Sequence, residues 1–111
     1  MAGGLVLLIA GVIVAGIALL GRVGKLPRNY FVGIRLPSTM RSDEAWVAAH
    51  RVAWPYILVT AILITISGVF FLLNPDEPPA EWVLITVILV PLVIGAVRAH
   101  LVARRLPRPR P

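Results

Sequence analysis

Tyr56-Ile57-Leu58-Val59-Thr60-Ala61-Ile62-Leu63-Ile64-Thr65-Ile66-Ser67-Gly68-Val69-Phe70-Phe71-Leu72-Leu73 runs without one charged side chain, and its reading decides the fold. A helix rises about 1.5 Å per residue and the hydrocarbon core of a bilayer is roughly 30 Å thick, so such a run, with its neutral flanks, crosses it. Two further blocks, Leu5 to Leu20 and Trp82 to Val97, are equally free of charge. The expected fold class is therefore all-α: an integral membrane three-helix bundle forming one membrane domain, with spans at about 4–21, 55–73 and 82–103.

Composition agrees. Of 111 residues, 59% are hydrophobic and 14% charged, and the mean hydropathy of +0.89 is far above that of a soluble domain. Three spans in so short a chain leave no room for a separate catalytic domain or for the paired inverted repeats of most secondary transporters. Cysteine is absent, which removes disulfides, thiolate metal sites and cysteine nucleophiles. The first apolar run has no basic segment ahead of it and no small-x-small cleavage site behind it, so it reads as a retained anchor rather than a signal peptide.

The net charge of +6 is explained by topology better than by nucleic acid, which is an unlikely partner. Arg22, Lys25, Arg28, Arg35, Arg41 and Arg51 lie between the first two spans, and Arg98, Arg104, Arg105, Arg108 and Arg110 lie at the end of the third. The segment Asn74 to Glu81 holds three acids and no base. Basic residues are retained on the cytoplasmic side, which places the N-terminus outside and the C-terminus in the cytoplasm. Arg104, Arg105, Arg108 and Arg110 then sit where anionic lipid headgroups attract them.

Within the spans the polar side chains are Thr60, Thr65, Ser67 and Thr86, which can bond back to their own helices; no ionisable group lies at membrane depth, so proton- or ion-coupled transport is not expected. Gly11 with Ala15, and Gly95 with Ala99, have the small-xxx-small spacing that lets helices approach closely, either within this bundle or against a partner's helix. Pro91 should kink the third span. The outer loop, rich in proline, reads as a solubilising turn.

From Arg22 to Pro55 the chain runs 34 residues between spans, far more than a helix connection needs. Pro27, Gly33 and Pro37 break the first half into turns and extended pieces. Ser42 can then cap a helix whose first turn carries Asp43 and Glu44. Trp46, Ala49, His50, Ala53 and Ile57 share one helical face, with Glu44, Ala48 and Arg51 on another. The expectation is an interfacial amphipathic helix on the inner leaflet that turns near Pro55 into the second span, with Trp46, Trp54 and Tyr56 at headgroup level.

Arg28-Asn29, Gly33-Ile34-Arg35-Leu36-Pro37, Ser42-Asp43-Glu44-Ala45-Trp46 and His50-Arg51 follow one another in an order that resembles the signature of the SdpI-like family of small bacterial membrane proteins. Leu36 stands where threonine is usual. The resemblance implies an immunity-type or signalling protein that acts by binding and not by catalysis. The founding member protects its producer from a secreted killing peptide and holds a transcriptional repressor at the membrane. On this reading Arg28, Asn29, Gly33, Arg35, Pro37, Arg41, Asp43, Glu44, Trp46, His50 and Arg51 form either a partner-binding surface or a structural clasp at the inner end of the bundle. Arg35 and Arg41 can pair with Asp43 and Glu44, and Gly33 permits a positive φ.

Other chemistries fare worse. Ser38, Thr39 or Ser42 with His50 and Asp43 are the candidates for nucleophilic catalysis, but no nucleophile motif accompanies them. His50 and His100, the two histidines, lack nearby second ligands, so neither a metal nor another cofactor is expected. Two functional classes remain: an immunity or signalling protein that binds a toxin peptide or regulator, and a small accessory subunit packed against a larger membrane complex.

Overall fold

The computed structural model of the chain describes residues 2–29, 33–74, 76 and 81–106. Three α-helices, α1 (Ala2–Val23), α2 (Asp43–Leu73) and α3 (Glu81–Arg105), are joined by loops, the first of which contains a single 3-10 turn at Thr39–Arg41; there is no strand among the described residues. All three helices are long and apolar enough to cross a membrane.

Local chemistry sets the helix ends. At the end of α1, Gly24 takes φ +73, and the amides of Gly24 and Lys25 donate to the carbonyls of Gly21 and Leu20 at 3.3 and 2.9 Å. This is the paired closure that a residue without Cβ permits. The hydroxyl of Ser42 accepts from the Ala45 amide at 3.0 Å, so the expected N-cap of α2 is in place, with Asp43 and Glu44 in the first turn.

The interfacial helix expected over the residues before Pro55 is not a separate element. α2 is unbroken through its 31 residues with Pro55 inside it, so that segment is the first three turns of the second span's own helix. At about 1.5 Å per residue α2 is roughly 46 Å long, which exceeds the hydrocarbon thickness and leaves those turns free to stand beyond it. Pro55 costs α2 one backbone bond without ending it, because a helix packed on both sides tolerates the gap.

α2 is the middle of the molecule. It packs against α1 on one side and α3 on the other, and α1 and α3 make no contact with each other among the described residues. Small residues line both seams: Gly4, Gly11, Ala18 and Gly21 on α1, and Gly95, Ala99 and Ala103 on α3, are all buried. A Cβ on Gly11 would overlap the Thr65 side chain, and one on Gly95 would come within 2.9 Å of Tyr56 Cβ. The expected small-xxx-small pairs therefore serve packing within the chain, with Ala15 half-buried at the seam's edge. Thr60, Thr65 and Ser67 donate to the Tyr56, Ala61 and Leu63 carbonyls at 3.0, 2.8 and 2.8 Å, which satisfies them inside α2. The remaining face of α2 is open, with Arg51, Pro55, Val59, Ile62, Ile66, Val69 and Leu73 exposed at helical spacing. The turn between α2 and α3 lies mainly outside the described residues.

Candidate functional site

The loop between α1 and α2 folds back over one end of the bundle and ties all three helices together. Its centre is His50, which is 1% exposed beside the equally buried Trp46. The Ile34 amide donates to His50 Nε2 at 2.9 Å, so Nε2 accepts. Nδ1, 2.8 Å from the Trp46 carbonyl, therefore carries the proton. The ring is a neutral imidazole held at both nitrogens. Burial at this place, beyond the apolar run that begins after Pro55, lowers its pKa below the usual 6.5, and the bond to the Trp46 carbonyl opposes this in part.

Trp46 was expected at headgroup level. Instead its indole lies inside the clasp, its ring centroid 4.2 Å from that of His50, and Nε1 donates to the Leu26 carbonyl at 2.8 Å. The loop has too few apolar residues to close a core alone, and the indole supplies both the area and a donor for a loop carbonyl. Gly33 has φ +100, and a Cβ there would lie 2.8 Å from His50 Nε2 and 2.9 Å from Trp46 Cη2. The positive φ that glycine permits is present, and its reason is that the loop backbone must lie flat against these two rings.

Thr39, fully buried, organises the next turn. Its hydroxyl accepts from the Leu36 amide at 2.9 Å and donates to the Ile34 carbonyl at 2.7 Å. From this turn two side chains reach α3. The Ser38 hydroxyl meets His100 Nδ1 at 2.6 Å, and Arg41 Nη2 donates to the Leu106 carbonyl at 2.6 Å and the Ala103 carbonyl at 3.2 Å. A cation on the last carbonyls of a helix complements the negative end of its dipole.

This corrects the ion pair expected of Arg41. Arg41 caps α3, and the carboxylate of Asp43 is met by Arg28, whose Nε is 3.4 Å from Oδ1 while Nη1 donates to the Met40 carbonyl at 2.9 Å. Arg28 precedes the turn and reaches back across it, a contact that spacing along the chain does not reveal. Asn29 Nδ2 donates to the Pro27 carbonyl at 2.8 Å. Arg35, Pro37, Glu44 and Arg51 are exposed. Asp43, Glu44, Val47, Ala48 and Arg51 of α2 line an open groove of about 450 Å³ with Leu106 at its α3 side. Arg104 and Arg105 end α3 in exposed positions; Arg108 and Arg110 lie outside the described residues.

Thus Gly33, Trp46 and His50 converge, as do Arg28 and Asp43, while Arg41 joins α3 rather than the acids. Sequence reading missed Leu26, Ile34 and Leu106 as partners, since their roles are played by backbone atoms. It also missed the pairing of His100 with Ser38 across 62 positions. The candidate nucleophiles do not assemble with His50 and Asp43: Ser38 engages His100, Thr39 is bonded within its own loop, and Ser42 caps α2. No group of three metal-ligating side chains occurs among the described residues.

Compared with known proteins, residues 25–99 match the family model described as the SdpI/YfhL protein family. No curated protein and no solved structure matches the chain.

Proposed function

Since the chain belongs to the SdpI/YfhL protein family, we propose that it is a membrane protein of immunity or signalling type whose folded loop over 28–51 binds a toxin peptide or a regulator and performs no catalysis. One observation carries this reading. The motif's inward side chains, Trp46, Thr39 and His50, are consumed in holding the loop, while Arg28, Arg35, Glu44 and Arg51 stand exposed on and beside the groove it frames. Clasp and binding surface are then two sides of one structure. An exposed charged surface on a pinned loop is suited to recognition, because little ordering entropy is lost when a partner binds.

In this reading the loop and the C-terminal end face the bacterial cytoplasm, since all eleven basic residues sit at that end of the spans. The surrounding partner is the bilayer with its anionic headgroups, which Arg104 and Arg105 approach.

The test is purification of the tagged chain from its native membrane in mild detergent, with stoichiometry by mass spectrometry, for wild type and R35Q. Expected is a protein alone or as a homo-oligomer, with a toxin peptide or regulator bound substoichiometrically and lost in R35Q at unchanged abundance. A large membrane complex at fixed ratio would replace this reading with that of an accessory subunit. Sensitivity of a deletion strain to the killing peptide separates immunity from signalling.

A further inference from the structure

Three arginines on three helices stand at one level of the loop-bearing end. Arg22 of α1 lies over the Trp54 ring, 5.0 Å from guanidinium carbon to centroid, and Arg98 of α3 lies 5.6 Å from the centroid of Tyr56. Arg51, one turn before Trp54, lies against the end of α1, where a Cβ on Gly24 would be 2.7 Å from its Nη2. None of the three has an acidic partner among the described residues, where the ion pair present is Arg28 with Asp43. Trp54 and Gly24 hold the Arg22 and Arg51 guanidinium groups at the α1–α2 seam, two positive charges without a counter-ion.

Beneath that pair the same seam opens into an apolar recess of about 180 Å³, lined by Ala15, Ala61, Ile62, Thr65 and Ile66. Ala15 precedes Arg22 by seven residues and Ala61 follows Trp54 by seven. The two antiparallel helices therefore place the recess about 10 Å from Arg22 and about 15 Å from Arg51 toward the membrane centre. The Thr65 hydroxyl donates to the Ala61 carbonyl at 2.8 Å and leaves the recess no free donor. Two cations above and an apolar notch deeper in the same seam match a molecule with a phosphate at one end and a hydrocarbon chain at the other.

We propose that the α1–α2 seam is a binding site for one anionic phospholipid, its phosphate between Arg22 and Arg51 and an acyl chain in the recess beside Ala15 and Ile62. Charge decides the class: unpaired guanidinium groups favour a net-negative headgroup over a zwitterionic one, whose own ammonium would be repelled. The aromatic face under Arg22 fixes the guanidinium in place. The neighbouring seam, with the single Arg98 over Tyr56, supplies a control arginine that rests on an aromatic ring as Arg22 does.

The experiment titrates the full-length protein in neutral detergent with phosphatidylglycerol, and separately with phosphatidylcholine of the same chains, and counts bound lipid by native mass spectrometry. Phosphatidylglycerol should be held at least tenfold more tightly. The variant R22Q/R51Q should lose roughly 30-fold in phosphatidylglycerol affinity, from the usual contribution of a basic group near an anionic lipid. R22K/R51K should keep most of it, and R98Q should leave it unchanged. Ala15→Leu, which fills the recess and keeps both charges, should weaken binding of both lipids. Equal retention of the two lipids overturns the site, as does a loss in R98Q equal to that in R22Q/R51Q, which would mean a general basic surface. Displacement by glycerol phosphate as readily as by the lipid would show a site for the free anion instead.

Discussion

His50→Phe isolates the bond on which the loop depends. Phenylalanine keeps a flat ring next to Trp46 but cannot accept the Ile34 amide, which in the native protein lies 2.9 Å from Nε2. The Trp46 carbonyl still receives its ordinary helical bond from residue 50, so losing Nδ1 orphans nothing there. The cost is one buried unpaired N–H, about 1–3 kcal/mol. At about 1.4 kcal/mol per tenfold, Ile34 amide exchange should accelerate roughly 5- to 150-fold. The assay is hydrogen exchange of the detergent-solubilised protein, resolved at the peptide covering 33–40, with a peptide from the middle of α2 as reference. An unchanged rate at Ile34 in a folded variant, or an equal acceleration throughout α2, would refute the reasoning: the first would mean that the bond holds nothing, the second that it holds everything.

Acid should do the same through protonation. The pKa of His50 is lowered by burial, so below about 6.5 the unfolded chain takes up a proton that the folded chain refuses. The clasp's stability is thus complete above that value and declines as pH falls toward the folded-state pKa. The loop's protection factors, taken against the intrinsic exchange rate at each pH, should fall at pH 5 relative to pH 7.5, and His50→Phe should abolish that fall. Gly33→Ala forces a Cβ onto φ +100 and to within 2.8–3.0 Å of two buried rings, which should cost about 2 kcal/mol or more and open the loop to protease. Arg41→Gln removes the charged donor from the Leu106 and Ala103 carbonyls and should cost about 1–3 kcal/mol, read as faster exchange in the last turn of α3 with α1 unaffected.

The spans were legible because uncharged runs of this length have few alternatives in water or lipid. Ser42 as N-cap was legible because capping is local. The packing glycines were half-legible: Gly11 and Gly95 advertise themselves by spacing, but a one-chain and a two-chain use of that spacing look alike. Trp46 illustrates the limit. An aromatic residue at the end of an apolar run satisfies the rule for interfacial belts, and only the folded loop, which brings the Leu26 carbonyl to its indole, makes it core.

By itself the sequence determined that three uncharged runs form membrane helices and that a long basic loop joins the first two, since hydrocarbon excludes charge and the chain has no other way to satisfy its backbone there. It also showed that Gly33 could take a positive φ, which the folded loop uses. Tertiary structure alone decided that α2 is one helix from Asp43 to Leu73, that it separates α1 from α3, and that Arg28 rather than Arg41 meets Asp43. The physical reason is common to all three. Each depends on which backbone carbonyls and ring faces arrive beside a side chain, and residues up to 65 positions apart, as Arg41 and Leu106 are, become neighbours only when the helices pack.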